Sequence, residues 1–220
     1  MSLLGKKAAI LWNGDLQDKE FIVSQLDKFD TIICADGAAD FLKEYDYLPD
    51  VIIGDLDSIC EDTLQYYRER QVEFLRFPLE KDFTDSELTI RYLLEQGIYH
   101  ATVFGFSGSR LDHSIANLGL LYYAVNQGIS INYISRRNRI MCLKPGTYCF
   151  ENQQKFYFSL VALFGIVKNI SLSGAKYSLS SYTMKQGETI GISNEYIENI
   201  CLEFEDGHLL VIESEKDISI

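Results

Sequence analysis

The chain reads as α/β plus all-β: an N-terminal, mainly parallel open α/β sheet of Rossmann-like kind, then a C-terminal antiparallel β-sandwich. Two textures in its 220 residues predict this. Up to about Ser135, short apolar runs alternate with stretches of helical period, which implies crossover units and parallel strands. After Arg139 the helical period fades and strand-like alternation takes over. The change falls near Arg137, so the predicted domains are 1–137 and 138–220.

The elements follow in order. Lys7–Leu11 is an apolar strand. Ile22, Leu26 and Phe29 sit at i, i+4 and i+7, so Asp18–Lys28 is a helix. Thr31–Cys34 is a strand, Ala38–Tyr45 a short helix and Val51–Gly54 a strand. Ser58-x-x-Glu61 resembles a capping box opening a helix that runs to about Arg70. Val72–Phe77 is a strand. Thr84-x-x-Glu87 is a second capping box, and Ile90, Leu93, Leu94 and Ile98 mark one face of the helix it starts. Ala101–Phe106 is a strand, His113–Gln127 an apolar helix and Ile129–Ile134 a strand. Beyond the boundary, Pro145-Gly146 turns, and Phe156–Phe164 and Ile170–Ser173 are apolar runs. Ile200, Leu202 and Phe204 alternate with polar neighbours, and Asp206-Gly207 then leads into Leu209–Ile212, a hairpin signature.

Composition narrows the function. At 47% hydrophobic and 24% charged, the chain can fill a core. A net charge of −12 opposes nucleic-acid binding, which needs basic patches. Five cysteines without a Cys-x-x-Cys, and three scattered histidines, make no zinc pattern and suggest reduced thiols of a cytoplasmic protein. Lys6-Lys7 precedes only Ala8–Trp12 before Asn13-Gly14-Asp15, so no signal peptide is expected. No apolar run is long enough for a membrane span.

The chemistry lies in four acidic clusters, each where an apolar run gives way to a loop or helix: Asp36; Asp55 and Asp57; Asp82 and Asp85; Asp112. Strand-end residues of an open α/β sheet converge where such folds bind ligands. Carboxylates gathered there repel: at an effective dielectric of ~20, two charges ~4 Å apart interact by about 4 kcal/mol. A cation must join them, and hard oxygen ligands suit Mg²⁺ arriving with substrate phosphates.

The last three clusters have plainer readings as well. Asp57 or Ser58 can cap the following helix, and Asp85 suits a helix N-terminus on dipole grounds alone. Lys81 clamps a phosphate or offsets its acidic neighbours. In Gly105-Phe106-Ser107-Gly108-Ser109-Arg110-Leu111-Asp112-His113, glycines permit backbone approach to phosphate and Arg110 adds a forked cation. Asp112 is an N-cap or a base for a substrate hydroxyl. His113 is structural or catalytic. Asn117, a turn further on, binds ligand or a loop. Neither standard nucleotide fingerprint occurs, so ATP would be held by scattered strand-end loops.

Taken together, Asp36-Gly37-Ala38, Gly54-Asp55-Leu56-Asp57-Ser58, Lys81-Asp82-Phe83-Thr84-Asp85-Ser86-Glu87 and Gly108-Ser109-Arg110-Leu111-Asp112-His113 with Asn117 resemble the thiamin pyrophosphokinase family in order and spacing. Ser159-Leu160, Gly174 through Leu179 and Gly191-Ile192-Ser193-Asn194-Glu195 resemble its β domain. Ala38 and Ser109 stand where many members carry glycine. The only tryptophan, Trp12, lies in the first domain.

The resemblance implies diphosphate transfer from ATP to the thiamin hydroxyl, giving thiamin diphosphate and AMP with Mg²⁺. It also implies a homodimer whose sites lie between the α/β domain of one subunit and the β domain of the other. Asp55, Asp57 and Asp85 would hold Mg²⁺, with catalytic contributions from Asp57 and Asp85. Arg110 and Lys81 would contact phosphate, and Asp112 would orient or deprotonate the hydroxyl. Asp36 and Asp82 would line the cleft, with Thr84, His113 and Asn117 on the ligand side. Ser193 and Asn194 would meet the thiamin pyrimidine from the partner subunit, with Tyr177 near it or in the β-domain core or rim.

Two alternatives come from other classes. Asp55-Leu56-Asp57-Ser58-Ile59 echoes the nucleophile loop of haloacid-dehalogenase-type phosphatases, a reading that leaves Arg110-Leu111-Asp112-His113 unexplained. A non-catalytic nucleotide or vitamin sensor on the same scaffold would not need every acid.

Overall fold

A computed structural model describes residues 5–77 and 83–216. The chain is mixed α/β and divides into two compact units, Met1–Arg136 and Arg137–Ile220. No helix among the described residues is long and apolar enough to cross a membrane.

In the first unit, strands and helices alternate: β1 (Lys7–Leu11), α1 (Lys19–Leu26), β2 (Thr31–Ala35), α2 (Ala38–Glu44), β3 (Val51–Gly54), α3 (Glu61–Glu69), β4 (Glu73–Arg76), α4 (Asp85–Glu95), β5 (His100–Phe104), α5 (Leu111–Asn126) and β6 (Ser130–Ile134). Every pairing along β6-β5-β1-β2-β3-β4 is parallel. Ala8 to Leu11 and Val51 to Ile53 are fully buried. Unbroken apolar runs are what a sheet covered on both faces requires.

The chain steps outward from β1 through β2 and β3 to β4, then returns to β5 on the other side of β1. The loops after β1 and β5 therefore leave in opposite senses, the arrangement that opens a crevice at the carboxyl edge of such sheets. They touch there: the Asp15 N–H donates to the Ser107 carbonyl at 2.6 Å. A Cβ on Gly14 would collide with the Gly105 and Ser107 carbonyl oxygens, so this approach requires glycine.

Two local expectations fail in this unit. Ser58 does not cap α3. That helix starts at Glu61 after Cys60, whose N–H is received by the Asp40 carboxylate at 3.3 Å, while the Ser58 hydroxyl donates to Asp57. Ser58 is held in the acidic loop and cannot cap a helix that begins later. Asp112 is not an N-cap either. The helix starts at Leu111 with Arg110 before it, and Asp112 falls in the first turn. At α4 half of the capping box forms. Thr84 Oγ1 accepts the Glu87 N–H at 3.2 Å, whereas the Glu87 carboxylate pairs with Arg91 at 2.8 Å.

The second unit is antiparallel: β7 (Asn138–Leu143), β8 (Gly146–Phe150), β9 (Phe156–Val161), β10 (Val167–Ala175), β11 (Leu179–Met184), β12 (Asn194–Phe204) and β13 (Leu209–Glu215). One group runs β11-β10-β12-β8 and the other β9-β13-β7. The long β12 belongs to both, because Asn194 and Glu195 also pair with Phe158 and Tyr157 of β9. Phe158, Leu160, Ile200, Leu202, Phe204, Leu209 and Val211 meet in one core.

The expected hairpin is absent. β12 and β13 flank Asp206-Gly207 but do not pair; β13 lies between β7 and β9. Alternating burial is equally satisfied when a turn carries the chain from one sheet to the other, and here it does. Glu213 is buried beside the Tyr196 hydroxyl and 3.6 Å from Arg139.

Candidate active site

Each acid owes its position to the end of a strand. Asp36 follows β2, with φ 39° and its N–H donated to the Ile53 carbonyl at 3.0 Å. Asp55 follows β3, and Leu56 at φ 69° turns the chain back so that the Asp57 N–H reaches Asp55 Oδ1 at 3.2 Å. Carboxylate oxygens of Asp36, Asp55 and Asp57 lie within 4.8 Å of one another. Sequence reading placed Asp36 on the cleft wall; the fold brings it together with the other two.

Asp36 is buried, and its Oδ1 has no hydrogen-bond partner among the described residues. Burial raises its pKa, and the charges of Asp85, Asp55 and Asp57 add to the rise, while the Ser58 hydroxyl offsets part of it. An unpartnered buried oxygen costs stability, and such atoms are rare in native folds. Oxygen donors this close, carrying this much like charge, fit a hard divalent cation.

Asp85 opens α4 beside this group. Its Oδ1 is 3.4 Å from where a Cβ on Gly54 would stand, and that Cβ would sit 3.0 Å from the Asp36 Cβ. Gly54, at φ 156°, therefore keeps Asp36 and Asp85 at their present approach. α4 is anchored by Trp12, whose Nε1–H donates to Thr89 Oγ1 at 2.9 Å; that hydroxyl in turn donates to the Ser86 carbonyl at 2.7 Å. The one tryptophan is thus a buried strut.

A cleft of about 870 Å³ runs from Asp36, Ser58, Thr84 and Asp85 past the β1 and β5 loops to Arg110, His113 and Asn117. Arg110 grips Asp112 through Nε at 3.2 Å and Nη2 at 2.6 Å, and both side chains are exposed. The guanidinium pulls the Asp112 carboxyl down to about 2, so it stays ionised at neutral pH. The buried Asn117 donates Nδ2–H to the Phe106 carbonyl at 2.8 Å and tethers the β5 loop. Lys81 and Asp82 lie outside the described residues. Sequence reading missed the Asn13-Gly14-Asp15 wall of the cleft; a glycine three residues past a buried strand was its available signal.

In the second unit, Ser193 stands at φ 56° and donates its N–H to Ser159 Oγ at 3.0 Å. The buried Asn194 is committed to backbone. Its Oδ1 accepts the N–H groups of Tyr177 and Glu195, at 2.9 and 3.0 Å, and its Nδ2 donates to the Tyr177 carbonyl at 2.7 Å. It thereby fixes the segment that carries the exposed ring of Tyr177.

Residues 23–133 match the family model described as the thiamin pyrophosphokinase catalytic domain, and residues 148–209 match its vitamin B1 binding domain. The chain is 32% identical to a thiamine pyrophosphokinase of Bacillus subtilis over 169 residues, covering 76% of this chain and 79% of that one. A crystal structure of thiamine pyrophosphokinase from Bacillus subtilis superposes with a TM-score of 0.87 at 29% identity, over 97% of this chain and all of that one. One from Geobacillus thermodenitrificans superposes at 0.82 and 28% identity, with the same coverage. The two family matches and these likenesses agree with the motif order, and the chain belongs to the thiamin pyrophosphokinase family.

Proposed function

We propose that the chain is a thiamin diphosphokinase, carrying a diphosphate from ATP to the hydroxyl of thiamin. The hydroxyl oxygen gives up its proton to solvent and bonds to the β-phosphorus, the bond from that phosphorus to the bridging oxygen of the α-phosphate breaks, and AMP leaves. One observation supports this above the rest: the Asp36, Asp55 and Asp57 carboxylates meet beside the cleft of a chain matching this family's two domain models. Phosphoryl chemistry asks a protein mainly for position and charge. Neither alternative gains support, since the matched models and relatives are thiamin pyrophosphokinases.

Asp55 and Asp57 hold Mg²⁺, with Asp36 joining them and Asp85 alongside. A bound Mg²⁺ neutralises phosphate charge. Arg110 and Lys81 bind phosphate oxygens. Arg110 can leave Asp112 cheaply, because exposed ion pairs contribute little. Asp112, a carboxylate at neutral pH with or without Arg110, accepts the thiamin hydroxyl's hydrogen bond and orients its oxygen. Thr84, His113 and Asn117 complete the nucleotide side. The fold reading is a Rossmann-like nucleotide unit followed by a β-sandwich; parallel strands β1 to β6 and the antiparallel sheets sharing β12 support it.

Thiamin binding involves Ser193 and Asn194, with Asn194 acting by fixing the Tyr177 segment. The working form is a cytoplasmic homodimer whose sites lie between subunits. The five unbridged cysteines are consistent with that compartment. Incubation with Mg-ATP and thiamin should yield AMP and thiamin diphosphate one for one. ADP as the nucleotide product, or no product, contradicts the assignment.

A further inference from the structure

The β unit carries a second pair of reactive side chains that diphosphate transfer does not use. Cys149 on β8 and Cys201 on β12 stand directly opposite each other in the antiparallel register. Burial alternates along β12: Ile200, Leu202 and Phe204 face the core, whereas Cys201 and Glu203 face outward. Cys149 is exposed as well, and the two Sγ atoms are 3.4 Å apart. Among the described residues β8 pairs only with β12, so Cys149 lies on a sheet edge open to reagents.

Opposed residues of antiparallel strands have Cα atoms about 4.5–5.5 Å apart. A disulfide spans Cα separations of about 4.4–6.8 Å, so bridging requires side-chain rotation without strand movement. The remaining cysteines are placed differently. Cys34 and Cys142 are buried. Cys60 is exposed, but its thiol proton is held by Asp40, which raises its pKa and disfavours the nucleophilic thiolate.

We propose that Cys149 and Cys201 are a modification site, a dithiol that low-molecular-weight disulfides convert to a cross-strand bridge. One thiolate attacks the reagent's disulfide, forming a mixed disulfide and expelling one reagent thiol. The second thiolate then attacks the protein-bound sulfur and expels the other. The protein loses two protons and two electrons, and the reagent disulfide gains both as it becomes two thiols. The two thiols share a hydrogen bond in which either sulfur can be the donor, so either can attack first.

The test exposes the purified full chain to oxidised glutathione, alkylates the remaining thiols and maps peptides by mass. The expected result is one intrachain Cys149–Cys201 link, with the thiol count of the denatured protein falling from five to three. Cys149→Ser and Cys201→Ser should each lose the bridge and retain a glutathione adduct on the cysteine that remains. Five surviving thiols, a link through Cys60 or between two chains, or a lasting glutathione adduct on the unaltered chain would overturn the proposal.

Discussion

The Asp36–Asp55–Asp57 group and the Arg110–Asp112 pair hold charge in opposite ways. The first gathers like charges, one of them buried with an unpartnered oxygen. The second is an exposed ion pair, neutral as a whole and already satisfied. Folding opposes the first, because burial and repulsion raise Asp36. Folding contributes little to the second, which water solvates well. A side chain held against its own electrostatics implies a ligand that supplies the missing charge. A satisfied surface pair implies a group that can exchange partners when substrate arrives. The first region is therefore a built site and the second an adjustable one.

The largest effect should come from Asp57→Asn. Activity should fall about 10²–10³-fold, the usual scale for removing one electrostatic contributor. Its circular dichroism and Tm should not fall, since one repelling charge has gone. Near-normal turnover would remove Asp57 from the cation group. Next is Asn194→Ala, which strips three backbone partners from a buried amide. We expect a loss of about 2–3 kcal/mol in denaturant unfolding, and a higher KM for thiamin than for ATP. Equal effects on both substrates would sever the Tyr177 segment from thiamin binding.

Arg110→Lys tests the adjustable region. It keeps the charge but loses the fork, so the KM for ATP should rise about tenfold at unchanged Tm. A large fall in Tm would show the pair to be structural. The smallest effect sharpens the contrast. Because the folded Asp36 has a raised pKa, the fold holds its proton more tightly than the unfolded chain does. Metal-free stability should therefore fall as pH rises above the ordinary value of 3.8 through the raised one. Asp36→Asn should remove that fall and raise the metal-free Tm at pH 7 by about 2–4 °C, the shift that about 1 kcal/mol produces in a chain this size. A lower Tm would mean that the carboxylate stabilises the metal-free fold.

Much of the first unit was legible because its strands are apolar on both faces. Lys7–Leu11 and Val51–Gly54 have the bounds their runs predict. The failures share a cause. Ser58-x-x-Glu61 carries a cap motif, but Ser58 was already committed to the acidic loop. The alternation in β12 records which side chains are buried and says nothing about which strand pairs with which. Asp36 lies far from Asp55 along the chain, and the parallel β2–β3 pairing brings it there. Asn194 was named from the resemblance alone, and no local pattern reveals that its amide bonds the Tyr177 backbone.

The central claim is that Asp36, Asp55 and Asp57 meet around a divalent cation that carries the phosphates. Diffraction from crystals soaked with Mn²⁺ and a non-hydrolysable ATP analogue, recorded at the manganese edge, tests it most directly. The account predicts an anomalous peak about 2.0–2.3 Å from oxygens of these aspartates and within bonding distance of phosphate oxygens. A well-ordered nucleotide with its metal elsewhere, or with these three carboxylates turned apart, would contradict it.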